Sequence, residues 1–254
     1  MNDILSQTQD GVMTLTLNRA DKKNSLTRAM YTALADALEK AHADVTTRAV
    51  LIQGSPAVFS AGNDIGDFQS GPVKDETPPV HRFLHSLAQL SKPLVAAVCG
   101  PAVGIGTTML FHCDLVYAGD NAKFSLPFVN LGLCPEAASS LLAPQMFGYH
   151  RAAEAFLLGE PFNAAAALDL GLVNRVVPSD EVNAFALGQA SKLAAKPLSA
   201  LVETKRLMKG AQQAAVSTRM AEESATFSRL IGEPAAREAF AAFMEKRKPD
   251  FSRF

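Results

Sequence analysis

Residues 92–106 read Lys-Pro-Leu-Val-Ala-Ala-Val-Cys-Gly-Pro-Ala-Val-Gly-Ile-Gly. Pro93 to Cys99 is an unbroken apolar run of strand length, the pattern of a strand covered on both faces. Gly100, Gly104 and Gly106 then break the run into a tight loop, and a helix follows toward His112. Strand, glycine loop and helix in that order form the unit from which parallel sheets are built.

The same grammar recurs on both sides. Upstream, Ala49 to Gln53 reads as another buried strand, followed by the turn-rich Phe59-Ser-Ala-Gly-Asn-Asp-Ile-Gly-Asp-Phe68. Downstream, Asp114 to Ala118 is a third strand of the interior type. At the start, Ile4 to Gln9 and Val12 to Asn18 flank Asp10-Gly11, a strong hairpin signal. Thr27 suits the N-cap of a helix carrying Met30, Leu34, Leu38 and Ala41 at helical spacing. The fold class is therefore α/β with a largely parallel sheet.

From Gly66 to Pro79 the composition turns to Gly, Pro, Asp and Glu, which predicts a surface loop before a helix over about 80–90. Beyond Pro135 the pattern is helical to Phe254, except for strand-like Leu172 to Val177; Pro135 itself suits a helix's first turn, with Glu136 beside it. Amphipathic stretches such as Ala236 to Lys246 suit packing on the body or on another subunit. The expected division is a core over 1–195 and a C-terminal helical region over 196–254.

Composition narrows the function. The 254 residues carry a formal net charge of −1, with no Trp and no basic cluster, which argues against a nucleic-acid partner or an anionic membrane surface. No stretch approaches the roughly 20 apolar residues of a membrane helix, and no targeting segment is recognisable, so the cytoplasm is the expected location. Cys99, Cys113 and Cys134 are an odd number without CxxC spacing, which reads as thiols in a reducing compartment.

Two loops have the makings of a site. Phe59-Ser60-Ala61-Gly62-Asn63-Asp64 and Gly100-Pro101-Ala102-Val103-Gly104-Ile105-Gly106 each follow a strand with small residues. Uncovered amides in adjacent loops of that kind can share one oxygen, forming an oxyanion hole; either loop alone reads equally as a tight turn. Gly104-Ile105-Gly106 lacks the third glycine of a dinucleotide fingerprint, and there is no phosphate-binding GxxxxGK[ST] or GxSxG elbow. His81 and His85 share a helix face without a glutamate between them and read as a solvated pair, not a metal site. Glu136 either complements a helix dipole or does chemistry: Ala, Ala, Ser, Ser, Leu and Leu after it make an unusually apolar helix start.

Together, Asn18-Arg19 to Asn24-Ser25-Leu26, FSAGNDI, KPLVAAVCGPAVGIG, CDLVYAGDNAKFSLPFVNLGL and LLGEPFNAAAALDLGLVNRVV resemble the enoyl-CoA hydratase/isomerase, or crotonase, superfamily over essentially the whole chain. The resemblance implies a crotonase fold of repeated ββα units with a C-terminal helical trimerisation region, assembling as a homotrimer or a dimer of trimers. It implies an acyl-CoA substrate and no separate cofactor. By position, the Asn63 and Ile105 amides would hold the thioester oxygen. Ala61, Gly62, Asp64, Ile65 and Gly104 would frame the CoA, with Lys22, Lys23, Ser25 and Leu26 near its nucleotide end. Thr108, Phe128, Leu133 and Pro135 would line the acyl pocket.

The two glutamates of a hydratase are replaced by Thr108 and Phe128. The Cys-Pro-Glu stretch at Glu136 looks instead like that of peroxisomal-type 3,2-enoyl-CoA isomerases, which implies one glutamate moving a proton from C2 to C4 in fatty-acid β-oxidation chemistry. A hydratase or hydrolase recruiting Asp64 or Asp67 is the alternative, although Asp64 also suits a local cap. A noncatalytic binding protein on the same fold is the alternative of another class.

Overall fold

The computed structural model describes residues 2–69 and 78–254. The loop expected across 66–79 lies mostly outside these residues. The hairpin forms as read, with β1 (Ile4–Gln9) antiparallel to β2 (Val12–Leu17) across Asp10 and Gly11. Thr27 caps α1 (Arg28–Ala43) by accepting the Met30 N–H. Then follow β3 (Ala49–Gln53), α2 (Ile65–Gln69), α3 (Pro79–Gln89), β4 (Leu94–Val98), β5 (Pro101–Val103) and α4 (Ile105–Thr108), the last continued by a 3₁₀ turn to His112. The second half comprises β6 (Leu115–Gly119), β7 (Lys123–Ser125), α5 (Ser139–Phe147), α6 (Tyr149–Leu157), β8 (Phe162–Asn163), α7 (Ala164–Asp169), β9 (Arg175–Val177), α8 (Val182–Ala194), α9 (Leu198–Gly210), α10 (Gln213–Leu230) and α11 (Pro234–Met244).

The main sheet has the order β1-β2-β3-β4-β6-β9 and is parallel from β2 onward. Both of its faces are covered, which is why its inner strands are continuously apolar. Val50, Ile52, Leu94, Ala96, Val98, Val116 and Ala118 share a core with α1 residues Met30, Leu34 and Leu38. The alternate residues Leu51, Val95, Ala97 and Tyr117 meet Val182, Ala186, Ala190 and Ala194, a four-residue period that lays one face of α8 along the sheet.

A second layer was not legible as strands. GPAVGIG, read as a loop, contains β5, which pairs with β7, and β7 pairs with β8. Isolated parallel bridges Ser60↔Ala102 and Leu26↔Asn63 prolong this layer. Each inner strand thus hands the chain to a short extended piece above it, β3 to Ser60, β4 to β5 and β6 to β7, in the same lateral order as the main sheet. Two further expectations need correction. The strand read over 172–177 is confined to Arg175–Val177, because Leu172 and Val173 donate to the Ala167 carbonyl at the end of α7. Helix α5 begins at Ser139, not at Pro135. The C-terminal α10 and α11 pack on the body of their own chain: Met220 and Phe227 lie against the core, and Ala236 is buried within it.

Candidate active site

The two loops singled out in the sequence run side by side. The Ser60 N–H donates to the Pro101 carbonyl at 3.0 Å, and the Val103 N–H donates to the Ser60 carbonyl at 2.9 Å. Gly62 has φ +92°, and a Cβ there would sit 2.9 Å from the Val103 carbonyl oxygen, so a side chain would force the loops apart. Gly104 has φ +54° and ψ −118°, a conformation that glycine alone adopts freely, with open space where a Cβ would lie. Asn63 and Ile105 each lie three residues beyond the paired Ser60 and Ala102. Among the described residues, neither of their N–H groups meets an acceptor.

The 19–26 segment is laced to the first of these loops. Ala61 donates to the Lys23 carbonyl at 2.9 Å, Leu26 to Gly62 at 2.8 Å and Asp64 to Leu26 at 2.9 Å. The Asn24 side chain donates to the Phe59 carbonyl at 3.0 Å, and the Ser60 hydroxyl to the Asn24 carbonyl at 2.9 Å. Lys22 and Lys23 stand exposed at the rim, Ser25 and Ile65 are half-buried, and Leu26 is buried. The Asp64 carboxylate is already engaged: it accepts from Arg19 at 2.7 Å, from the Ser25 hydroxyl at 3.2 Å and from the Gly66 N–H at 3.0 Å. The Arg19 hydrogen bond is the chief cause holding that carboxyl below its usual value. Asp67 caps α1 by accepting the Arg28 N–H at 2.7 Å.

Glu136 lies in the segment that leads into α5. Ala137 and Ala138 have φ +62° and +54°, a left-handed pair that costs each alanine about 1–2 kcal/mol and turns the chain away from the helical path expected after Pro135. Side chains replace the missing helical hydrogen bonds. The Ser139 hydroxyl donates to the Glu136 carbonyl at 2.6 Å, His112 Nε2 pairs with the Ala137 carbonyl at 2.8 Å, and Ala138 N–H donates to Glu223 at 2.6 Å. The turn puts the Glu136 side chain inside at 8% exposure, with Oε1 buried and unpartnered. Burial, and after it the Glu223 charge, pushes this carboxyl up to about 8.

Tyr31 relates Glu136 to the first loop. Its hydroxyl is hydrogen-bonded to the Asn63 side chain, and its pKa is raised, first by burial and then by the Glu136 charge. Thr108 is fully buried with its hydroxyl unpartnered. Phe128 is buried with its ring 6.4 Å from that of Phe156, and Leu133, also buried, donates to the Phe128 carbonyl at 2.8 Å. Pro135 is half-buried. His81, read as one of a solvated pair, is half-buried against α10, where its Nε2 lies 2.8 Å from the Ser224 hydroxyl, while His85 is exposed.

Three neighbours of Glu136 escaped sequence reasoning. Tyr31 looks like one more core position of α1, His112 like a helix end, and Glu223 like its exposed neighbour Glu222. No local signal marks them, because only the tertiary fold brings them to the same place.

Residues 7–253 match the family model described as enoyl-CoA hydratase/isomerase. The chain is 34% identical over 255 residues to 2,3-dehydroadipyl-CoA hydratase of Escherichia coli (strain K12), covering 99% of each. It is 40% identical over 181 residues to enoyl-CoA delta isomerase 2 of Rattus norvegicus, a stretch that covers 69% of this chain and 46% of that one. Among solved structures, an enoyl-CoA hydratase/isomerase from Pseudoalteromonas atlantica T6c superimposes with a TM-score of 0.96 at 40% identity, over 99% of this chain and 100% of that one.

Proposed function

The chain belongs to the enoyl-CoA hydratase/isomerase family, and from that premise we propose that it is a 3,2-enoyl-CoA isomerase with Glu136 as its single acid/base. The observation that carries this reading is the state of Glu136: buried, unpartnered at Oε1 and raised to about 8. A carboxyl of that kind is a strong base once ionised and a ready acid once protonated, and its pKa lies near a neutral working pH.

The reaction needs both roles. The Glu136 carboxylate takes a proton from C2 of a 3-enoyl-CoA, and the C–H electron pair spreads into a dienolate whose negative charge rests on the thioester oxygen. The Asn63 and Ile105 amides, uncommitted among the described residues, would donate to that oxygen; one good donor of this type is worth about 2.7–4 kcal/mol of barrier. The Glu136 acid then returns the proton to C4, and the double bond settles between C2 and C3. Water has no place in this sequence. That suits a wall with Phe128 and Thr108 at the positions where the hydratase pattern has glutamates.

A hydratase would have to recruit another acid. Asp64 and Asp67 are both committed to neighbouring donors, which weighs against that alternative. The test is conversion of 3-enoyl-CoA to the conjugated 2-enoyl-CoA, run beside hydration of 2-enoyl-CoA. Wild type should isomerise and Glu136→Gln should fall by at least about 10³-fold; undiminished turnover in the variant removes Glu136 as the base.

A further inference from the structure

Glu223 is a second buried acid that the isomerisation itself does not use. It reaches across from α10 with 6% of its surface exposed and takes up the start of α5. One oxygen accepts the Ala138 N–H at 2.6 Å; the other accepts the Ser140 N–H at 3.0 Å and the Ser140 hydroxyl at 2.5 Å. These donors belong to the residues that follow Glu136 through the left-handed turn.

We propose that Glu223 is the positioning residue for Glu136: by accepting from Ala138 and Ser140 it fixes the Ala137–Ala138 turn that aims the base. The proposal rests on the reading of Glu136 given above. The two acids are provided for differently. Burial raises both carboxyls, but at Glu223 three hydrogen-bond donors and the nearby Arg219 act against it, whereas Glu136 has an orphaned oxygen and no such donor at Oε1. Glu223 is the neighbouring charge that works on Glu136 after burial itself. Among the described residues, the other titratable or charged groups around the pair are Arg219 and its ion-pair partner Glu222 on α10, Cys134 beside Glu136 with Arg229 acting on it, Tyr31 on α1, His112 against Ala137, and His81 against Ser224.

Two variants divide the roles. Glu223→Gln keeps the length and removes the charge, so the acid limb of kcat/KM for 3-enoyl-CoA should move to lower pH by at least about half a unit. Glu223→Asp keeps the charge and shortens the reach, so the limb should stay in place while kcat falls about tenfold or more, with KM within about twofold. An unmoved limb in folded Glu223→Gln, or wild-type kcat in Glu223→Asp, overturns the proposal. Should Glu223→Gln fail to fold, the Asp variant alone decides. If Glu136→Gln retains turnover, the base assignment falls instead; if it is dead while both Glu223 variants behave as wild type, the positioning role alone falls.

Discussion

Glu136→Gln changes folding stability in a way that depends on pH, because the two side chains have nearly the same shape and only one has a proton to lose. The wild-type carboxyl moves from the ordinary 4.5 to about 8 on folding. A carboxyl raised on folding holds its proton more tightly in the native state, so its contribution falls as pH climbs from the unfolded value to the folded one, and is level above. A shift of this size corresponds to at most about 5 kcal/mol, and the figure belongs to the Glu136–Glu223 pair rather than to one acid. At about pH 5 the two proteins should be nearly equal, since Glu136 is then protonated in the fold. At about pH 9 the glutamine variant should be the more stable, by at most about 10–20 °C in Tm, given about 2–4 °C per kcal/mol for a chain of this length. The assay is urea denaturation of both proteins at half-unit steps between these limits, taking the difference so that titrations outside the Glu136–Glu223 pair cancel. A difference that stays level across the window refutes the reasoning: the carboxyl would then ionise at its ordinary value, and the buried acid that carries the proposed function would not exist in solution.

The glycines of the two loops should respond differently to alanine. Gly104→Ala meets no atom within 4 Å and suffers only its backbone conformation, a cost of about 1–3 kcal/mol. Gly62→Ala adds a 2.9 Å approach to the Val103 carbonyl and should cost more in urea denaturation; equal losses would mean that the loops are not in close contact. Lys205 is buried, donating to Asp114 and to the Lys92 carbonyl, both at 2.7 Å. Lys205→Met should destabilise by about 3 kcal/mol, the usual scale for breaking a buried pair, and a loss under about 1 kcal/mol would mean that Lys209, 3.2 Å from Asp114, takes its place.

Features set by neighbouring residues were legible in the sequence. The Asp10-Gly11 hairpin, the Thr27 cap and the apolar strands at 49–53 and 94–98 each state their structure within a few residues. The second layer does not. β5 and β7 have three residues each and β8 two, too few to display an alternation, and their pairing joins residues as distant as Ala102 and Phe124. Glu136 stood out in the sequence through the Cys-Pro-Glu pattern, but its conformation was not legible there. Alanine has no preference for the left-handed region, so nothing in Ala137-Ala138 announces the turn that tertiary partners impose. Glu222 and Glu223 are indistinguishable in sequence, yet one pairs with Arg219 at 3.1 Å at the surface and the other is buried beside the site.

The short segment from Glu136 to Ala138 gathers features that each oppose folding: a buried acid, an unpartnered oxygen and two alanines in the left-handed region. Such a conformation persists only where its surroundings over-determine it. Here the restraints come from separate parts of the chain: His112 at the end of the glycine-loop helix, Ser139 within the segment, and Glu223 from α10. The C-terminal helices are therefore more than an appendage to a finished core. A division at residue 195 would leave Glu136 in the larger piece but remove the acceptor for the Ala138 and Ser140 amides, each of which would cost about 1–3 kcal/mol if left buried and unpaired. The conformation of Glu136 and the docking of α10 are on this account one cooperative property, and disturbing the helix should be felt first at Glu136, well before the sheet gives way.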